Sequence, residues 1–144
     1  MTSDGKFLLI KEERIPIRAA IWSMPAGQID DEVEPNEKEI GPVALRELHE
    51  ETGHDLAPGG ELIPLGYFFT SPGLTDEYCY FFLARPVQAA DVHKREEGEA
   101  ILDCRAVTTS ELGRMIAQNE IRDSNTLGIC ARLVSRGFIS LAAH

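Results

Sequence analysis

Apolar positions along this chain fall into short extended runs and helical stripes separated by clear turn signals. Lys6-Phe7-Leu8-Leu9-Ile10-Lys11, after an Asp4-Gly5 turn, reads as a mostly buried strand. Ile21-Trp22-Ser23-Met24 is a shorter apolar run that leads into the turn Pro25-Ala26-Gly27. The stretch from Asp30 to Gly41, rich in Asp, Glu, Pro and Asn, reads as loop, and so does Asp55 to Gly60 with its Pro58-Gly59-Gly60 end. Glu61 to Phe69 reads as a strand in which Pro64 marks an edge or a bulge, and Tyr78 to Ala84 as a stronger one. Asp91 to Glu99 is a charged surface loop before Ala100-Ile101-Leu102, from which a strand runs through Val107.

Three stretches carry a helical period. Pro42 suits a first helical position and Gly53 the residue past the end, so a helix is predicted between them, with Leu45 and Leu48 packing inward. Thr109 can cap a helix over 110–117 that turns Leu112, Met115 and Ile116 to the core, with Glu111 favouring the dipole. Asp123 or Ser124 can cap a second helix to Ser135-Arg136, closed by Gly137 and striped by Leu127, Cys130, Ala131 and Val134. Strands and helices in this order predict one α/β or α+β domain over residues 1–144.

The chemistry concentrates in Arg46-Glu47-Leu48-His49-Glu50-Glu51-Thr52-Gly53. Glu47, Glu50 and Glu51 stand three and four apart and share one helix face. Clustered carboxylates repel one another unless a cation or an arginine sits among them. Hard ions such as Mg²⁺ choose such oxygens and bridge them to substrate phosphate. By itself the cluster is equally a solvated acidic helix face.

Pro25-Ala26-Gly27 followed by Arg46-Glu47-Leu48-His49-Glu50-Glu51-Thr52-Gly53 resembles the signature of Nudix hydrolases. The second half matches closely. In the first half 18 residues separate Gly27 from Arg46, where the family pattern has thirteen, so the pattern's early Glu has no secure counterpart and His54 stands at its closing apolar position. Thr70-Ser71-Pro72-Gly73-Leu74-Thr75-Asp76-Glu77 resembles the Ser-Pro-Gly-x-x-x-Glu loop of the family's ADP-ribose pyrophosphatases; taken alone, it is an ordinary Pro-Gly turn.

The resemblance implies an α/β/α sandwich with a mixed β-sheet between helices. It also implies a metal-dependent pyrophosphohydrolase of a nucleoside diphosphate linked to another moiety, with ADP-ribose favoured. Glu47, Glu50, Glu51 and the backbone of Ala26 would hold Mg²⁺ or Mn²⁺, and Arg46 would orient the glutamates. Glu99, with Glu97 second, would activate the attacking water, and Arg14, Pro72 and Gly73 would contact substrate. A first strand and an N-terminal dimerisation region common among relatives have no counterpart, so either the start is truncated or mis-assigned or the sheet edge is completed another way, for instance by a second subunit. The same chemistry on a nucleotide sugar, a dinucleotide or a nucleoside triphosphate stays open, as does a Nudix-like nucleotide sensor without catalysis.

Composition narrows the partners. A net charge of −10 argues against nucleic acid or an anionic membrane as a bulk partner, whereas the resemblance implies a small nucleotide substrate and a possible homodimer. No apolar run approaches the roughly twenty residues that span a bilayer, and the N-terminus lacks the pattern of a signal peptide. Cys79, Cys104 and Cys130 are odd in number and widely spaced, which reads as free thiols in a reducing cytoplasm.

Overall fold

The buried run Phe7-Leu8-Leu9-Ile10 sits at the centre of a three-stranded antiparallel sheet in this computed structural model, which describes residues 1–29, 35–93 and 100–141. Strand β1 (Phe7–Arg14) lies between β2 (Ala19–Ser23) and β5 (Ile101–Val107), pairing Ile10 with Ser23 on one side and Phe7 with Val107 on the other. A continuous apolar run is what a strand covered on both faces requires. A long hairpin of β3 (His54–Phe69) and β4 (Tyr78–Ala89) forms a second antiparallel sheet. The helices are α1 (Glu37–Thr52), α2 (Thr109–Ala117) and α3 (Ser124–Ser135). Leu9, Leu65, Phe81, Leu83, Val107, Leu112, Met115 and Leu133 form the core between the layers.

The α+β class is the one expected. Among the described residues the parallel pairing that would make the sheet mixed is confined to two isolated bridges, Thr2 with Val87 and Trp22 with Ile121. The first of these, with the Met1 amino group donating to Ala84 O at 2.6 Å, lays the chain start along the edge of β4.

Four local expectations are corrected. Helix α1 begins at Glu37, with Pro42 inside it, because Asn36 caps the end by accepting from Glu39 N at 3.0 Å. Part of the stretch read as loop, Glu37 to Gly41, is therefore helical. Asp55 to Gly60 belongs to β3, where the register jumps from Leu56↔Val87 to Glu61↔Arg85 and leaves Ala57 to Gly60 as a wide bulge opposite Pro86. Proline has no N–H for the ladder, so pairing gives way there. The cap of α2 is Thr108 rather than Thr109, its side chain accepting from Glu111 N at 3.1 Å.

Pro64 marks a bulge as expected, since the register shifts again between Pro64 and Gly66. Carbonyls at this bulge accept from arginines in and just after α3: Arg136 Nη1 donates to Pro64 O at 2.9 Å and Arg132 Nη1 to Leu65 O. The third helix is thus tied to the long hairpin as well as to the core.

Candidate metal and substrate site

A further correction concerns which face of α1 is inside. Ile40, Val43, Glu47 and Glu51 follow one another at helical spacing and are all buried, whereas Leu45 and Leu48 are half-buried. The acidic residues therefore continue the apolar stripe instead of standing opposite to it. The helix ends at Gly53, whose φ of 67° is the left-handed cap that glycine adopts without strain, its N–H reaching His49 O at 2.8 Å.

Buried carboxylates need partners, and the turn after β2 supplies them. Ala26 N donates to Glu51 Oε2 at 2.8 Å. Gly27 lies so close to the Glu47 carboxylate that a Cβ built on it would overlap Cδ and both oxygens. Arg46 Nη2 donates to Glu47 Oε1 at 3.0 Å, and its Nε stands 3.8 Å from Glu50 Oε2. That second separation is too long for a hydrogen bond, and Glu50 Oε2 is buried without a hydrogen-bond partner among the described residues.

An orphaned buried carboxylate oxygen on a helix that carries two other buried carboxylates fits a bound cation. Among the described residues no three His, Cys, Asp or Glu side chains converge as a ready cage. The donors are hard oxygens along one helix face, which suits an ion that completes its shell from water, a backbone carbonyl or substrate phosphate, as Mg²⁺ does.

A cavity of about 540 Å³ opens beside Glu47 and the turn. Ala26, Gly27 and Glu47 line one part of it, and Thr70, Asp76 and Tyr80 another. The base of the β3–β4 loop thus reaches the cavity, held shut by Thr70 N to Glu77 O at 3.1 Å and Thr70 Oγ1 to Glu77 Oε2 at 2.6 Å. Pro72 and Gly73, exposed at the loop's tip, line a separate surface depression with Phe69 and Leu74. Arg14 ends β1 and pairs with Glu12 at 3.3 Å. Its strand partner is Ala19, while the turn follows Ser23, so it stands roughly 13 Å along the hairpin from the turn. Glu97 and Glu99 lie outside the described residues.

One contributor carries no obvious sequence signal. His93 seats its ring against Gly53, where a Cβ would come within 3.0 Å of it, and its Nε2 is 2.9 Å from Glu50 O. Nothing in a charged loop marks one histidine as the group that covers a helix end. Glu39 did carry a signal for the start of α1, since Asn36-x-x-Glu39 has the capping spacing.

The NUDIX domain model matches residues 1–127. The chain belongs to the NUDIX domain family. Among curated proteins, this NUDIX chain is 29% identical over 126 residues to the ADP-ribose pyrophosphatase of Bacillus subtilis (strain 168), covering 88% of itself and 64% of that protein. It is 28% identical over 127 residues to the methanol dehydrogenase activator of Bacillus methanolicus, again covering 88% of itself and 64% of the relative. It is also 26% identical over 140 residues to the ADP-ribose pyrophosphatase of Mycobacterium tuberculosis (strain ATCC 25618 / H37Rv), covering 96% of itself and 64% of that protein. The chain therefore spans somewhat less than two thirds of the length of these relatives. Its fold is also that of two solved structures. An ADP compounds hydrolase superposes with a TM-score of 0.71 at 16% identity, over 94% of this chain and 70% of the other. A NUDIX hydrolase from Nitrosomonas europaea superposes with a TM-score of 0.65 at 22% identity, over 94% and 84%.

Proposed function

We propose that this NUDIX chain is a divalent-metal-dependent pyrophosphohydrolase of a nucleoside diphosphate linked to another moiety, with ADP-ribose the favoured substrate. Water attacks one phosphorus, the bond from that phosphorus to the bridging oxygen breaks, and AMP and ribose 5-phosphate leave. The observation that carries this reading is the Pro25-Ala26-Gly27 turn packed against Glu47 and Glu51, with Glu50 Oε2 of the same helix buried without a hydrogen-bond partner among the described residues. A pure binding module has no need of all three carboxylates. The two ADP-ribose pyrophosphatases among its relatives favour the substrate.

In this reading Glu47, Glu50, Glu51 and the Ala26 carbonyl hold Mg²⁺ or Mn²⁺. The bound ion neutralises charge on the phosphate oxygens and acidifies the attacking water. Arg46 fixes the Glu47 carboxylate and limits repulsion among the three acids. Glu99, with Glu97 second, takes the proton of the water, and Arg14, Pro72 and Gly73 contact the distal part of the substrate. The protein is taken as cytoplasmic, consistent with free thiols at Cys79, Cys104 and Cys130, and as able to pair with a second copy.

The test is hydrolysis of ADP-ribose, a nucleotide sugar, a dinucleotide and a nucleoside triphosphate, each with Mg²⁺, Mn²⁺ or chelator and with Glu51→Gln as the blank. Metal-dependent release of AMP from ADP-ribose ahead of the others is expected. Preference for another member keeps the chemistry and changes the substrate. A folded protein that binds nucleotide without turnover is a sensor, and the hydrolase reading falls. Light scattering reads the oligomeric state separately.

A further inference from the structure

The turn Met24-Pro25-Ala26-Gly27 has few backbone donors to hold it. Pro25 has no N–H, which leaves the amides of Met24 and Ala26 on either side of it. Ala26 N is committed to Glu51 of α1. Met24 N donates to Thr126 Oγ1 of α3 at 2.9 Å, across 102 positions of sequence. Two helices from opposite ends of the chain thus each hold one amide of the same turn.

Thr126 is 1% exposed, so its hydroxyl must be satisfied within the protein. It is satisfied in a fixed direction. The Thr126 hydroxyl donates to Asp123 Oδ2 at 2.7 Å, and Thr126 N donates to the same oxygen at 2.8 Å. With its single proton spent on Asp123, Oγ1 presents a lone pair to Met24 N. Asp123 is itself the cap of α3, so the helix end is fixed before it touches the turn. A backbone bridge between Trp22 and Ile121 holds the two segments side by side just upstream.

We infer that Thr126, oriented by Asp123, is a positioning residue for the metal-binding turn: it sets where the Ala26 carbonyl and Gly27 stand over Glu47 and Glu51. The inference rests on the hydrolase reading for its consequence, but not for its geometry. An alternative role as plain core filling is answered by valine, which has the shape of threonine and none of its acceptor capacity.

The experiment compares Thr126→Val, Thr126→Ser and, as a control for lost packing away from the turn, Leu112→Val in the wholly buried core of α2. Mn²⁺ affinity is measured by calorimetry without substrate, and kcat and KM on ADP-ribose. Thr126→Val is expected to weaken Mn²⁺ binding and lower kcat by roughly tenfold, the scale of lost outer-shell support. Thr126→Ser is expected to return both to within about twofold, and Leu112→Val to lose thermal stability while keeping Mn²⁺ affinity. Wild-type affinity in Thr126→Val, or an equal loss in Leu112→Val, overturns the inference. Amide exchange in metal-free protein reads the brace without chemistry. Faster exchange at Met24 and Ala26 in Thr126→Val supports it even if the wild type hydrolyses nothing, a result that would instead sink the hydrolase reading. Unchanged exchange overturns the brace itself.

Discussion

Ala26 and Glu51 meet across 25 positions of sequence, the amide of one donating to Oε2 of the other at 2.8 Å. A charge-assisted bond to a backbone amide is among the stronger ways to hold a buried carboxylate. It fixes Glu51 against the turn and places the Ala26 peptide at the acidic end of α1. Glu51 therefore has two tasks in the proposed site, one toward the turn and one toward the ion.

Glu51→Gln separates the two tasks. The amide side chain keeps the size and can still accept from Ala26 N, but carries no charge for a cation. Expected are a folded protein with melting temperature within a few degrees of wild type, Mn²⁺ affinity weakened at least 10-fold and turnover lowered about 100-fold or more. Calorimetry, differential scanning and steady-state kinetics check the three parts. Turnover near wild type removes Glu51 from the site.

Gly27→Ala tests the closeness of turn and helix. The added methyl would occupy the space of the Glu47 carboxylate, so either the turn or Glu47 must move. A stability loss on the order of 1–3 kcal/mol in urea unfolding is expected from overpacking, together with loss of Mn²⁺ binding. Gly73→Ala has nothing within 4 Å of the new methyl and no such stability loss is expected. Equal stabilities for the two variants would show that the Glu47 carboxylate swings aside at little cost.

Much of this was legible in the sequence, and the reasons differ by residue. Phe7 to Ile10, Leu112 and Met115 are buried as their spacing predicts, whereas of the α3 stripe only Cys130 is buried, Leu127 and Val134 being exposed because α3 turns Thr126 and Leu133 inward. Gly53 was readable since a left-handed end after a helical stripe is a local matter. Pro42 misled, because its preference for first turns outweighed the Asn36-x-x-Glu39 cap, and tolerance of a proline inside a helix depends on surroundings that sequence does not show. The burial of Glu47 and Glu51 was hidden for a tertiary reason. Whether an acidic face meets solvent or a turn depends on where Pro25 to Gly27 comes to lie. Asp123 was foreseen as a cap, but the reach of Thr126 to Met24 is visible only once α3 is docked.

His93 illustrates a contact with consequences for the end of α1. Its ring covers Gly53 and its Nε2 lies 2.9 Å from the Glu50 carbonyl, one of the last-turn carbonyls that a helix leaves without partners. His93→Ala should cost about 1 kcal/mol in urea unfolding, the net worth of one such bond. Amide exchange is expected to rise locally at Gly53 and His54. Exchange that rises evenly over the molecule instead would mean that His93 matters only to global stability.

The base assignment is separable from metal binding by kinetics. Glu99→Gln should lower kcat about 100-fold or more while leaving Mn²⁺ affinity unchanged, as expected of a group that moves a proton and holds no ion. Glu97→Gln should have the smaller effect. Reversal of that order assigns the role to Glu97, and normal turnover in both variants removes this segment from proton transfer.

The thiols give a pH prediction independent of the active site. Burial pushes Cys79 up to about 11, aided by the nearby charges of Asp123 and Glu77, and burial alone does the same for Cys130. The thiolate is the reactive form, so its fraction at pH 8 is roughly one in a thousand and grows about tenfold for each pH unit up to 11. In the folded protein both cysteines should react slowly with a disulfide reagent at pH 8 and faster at pH 10. In urea, exposure returns them to the ordinary thiol range and the pH 8 reaction should become fast. Rapid labelling of either residue at pH 8 without urea, read by mass spectrometry of the peptides, would show that the interface of β4 with α3 opens more readily than its packing implies.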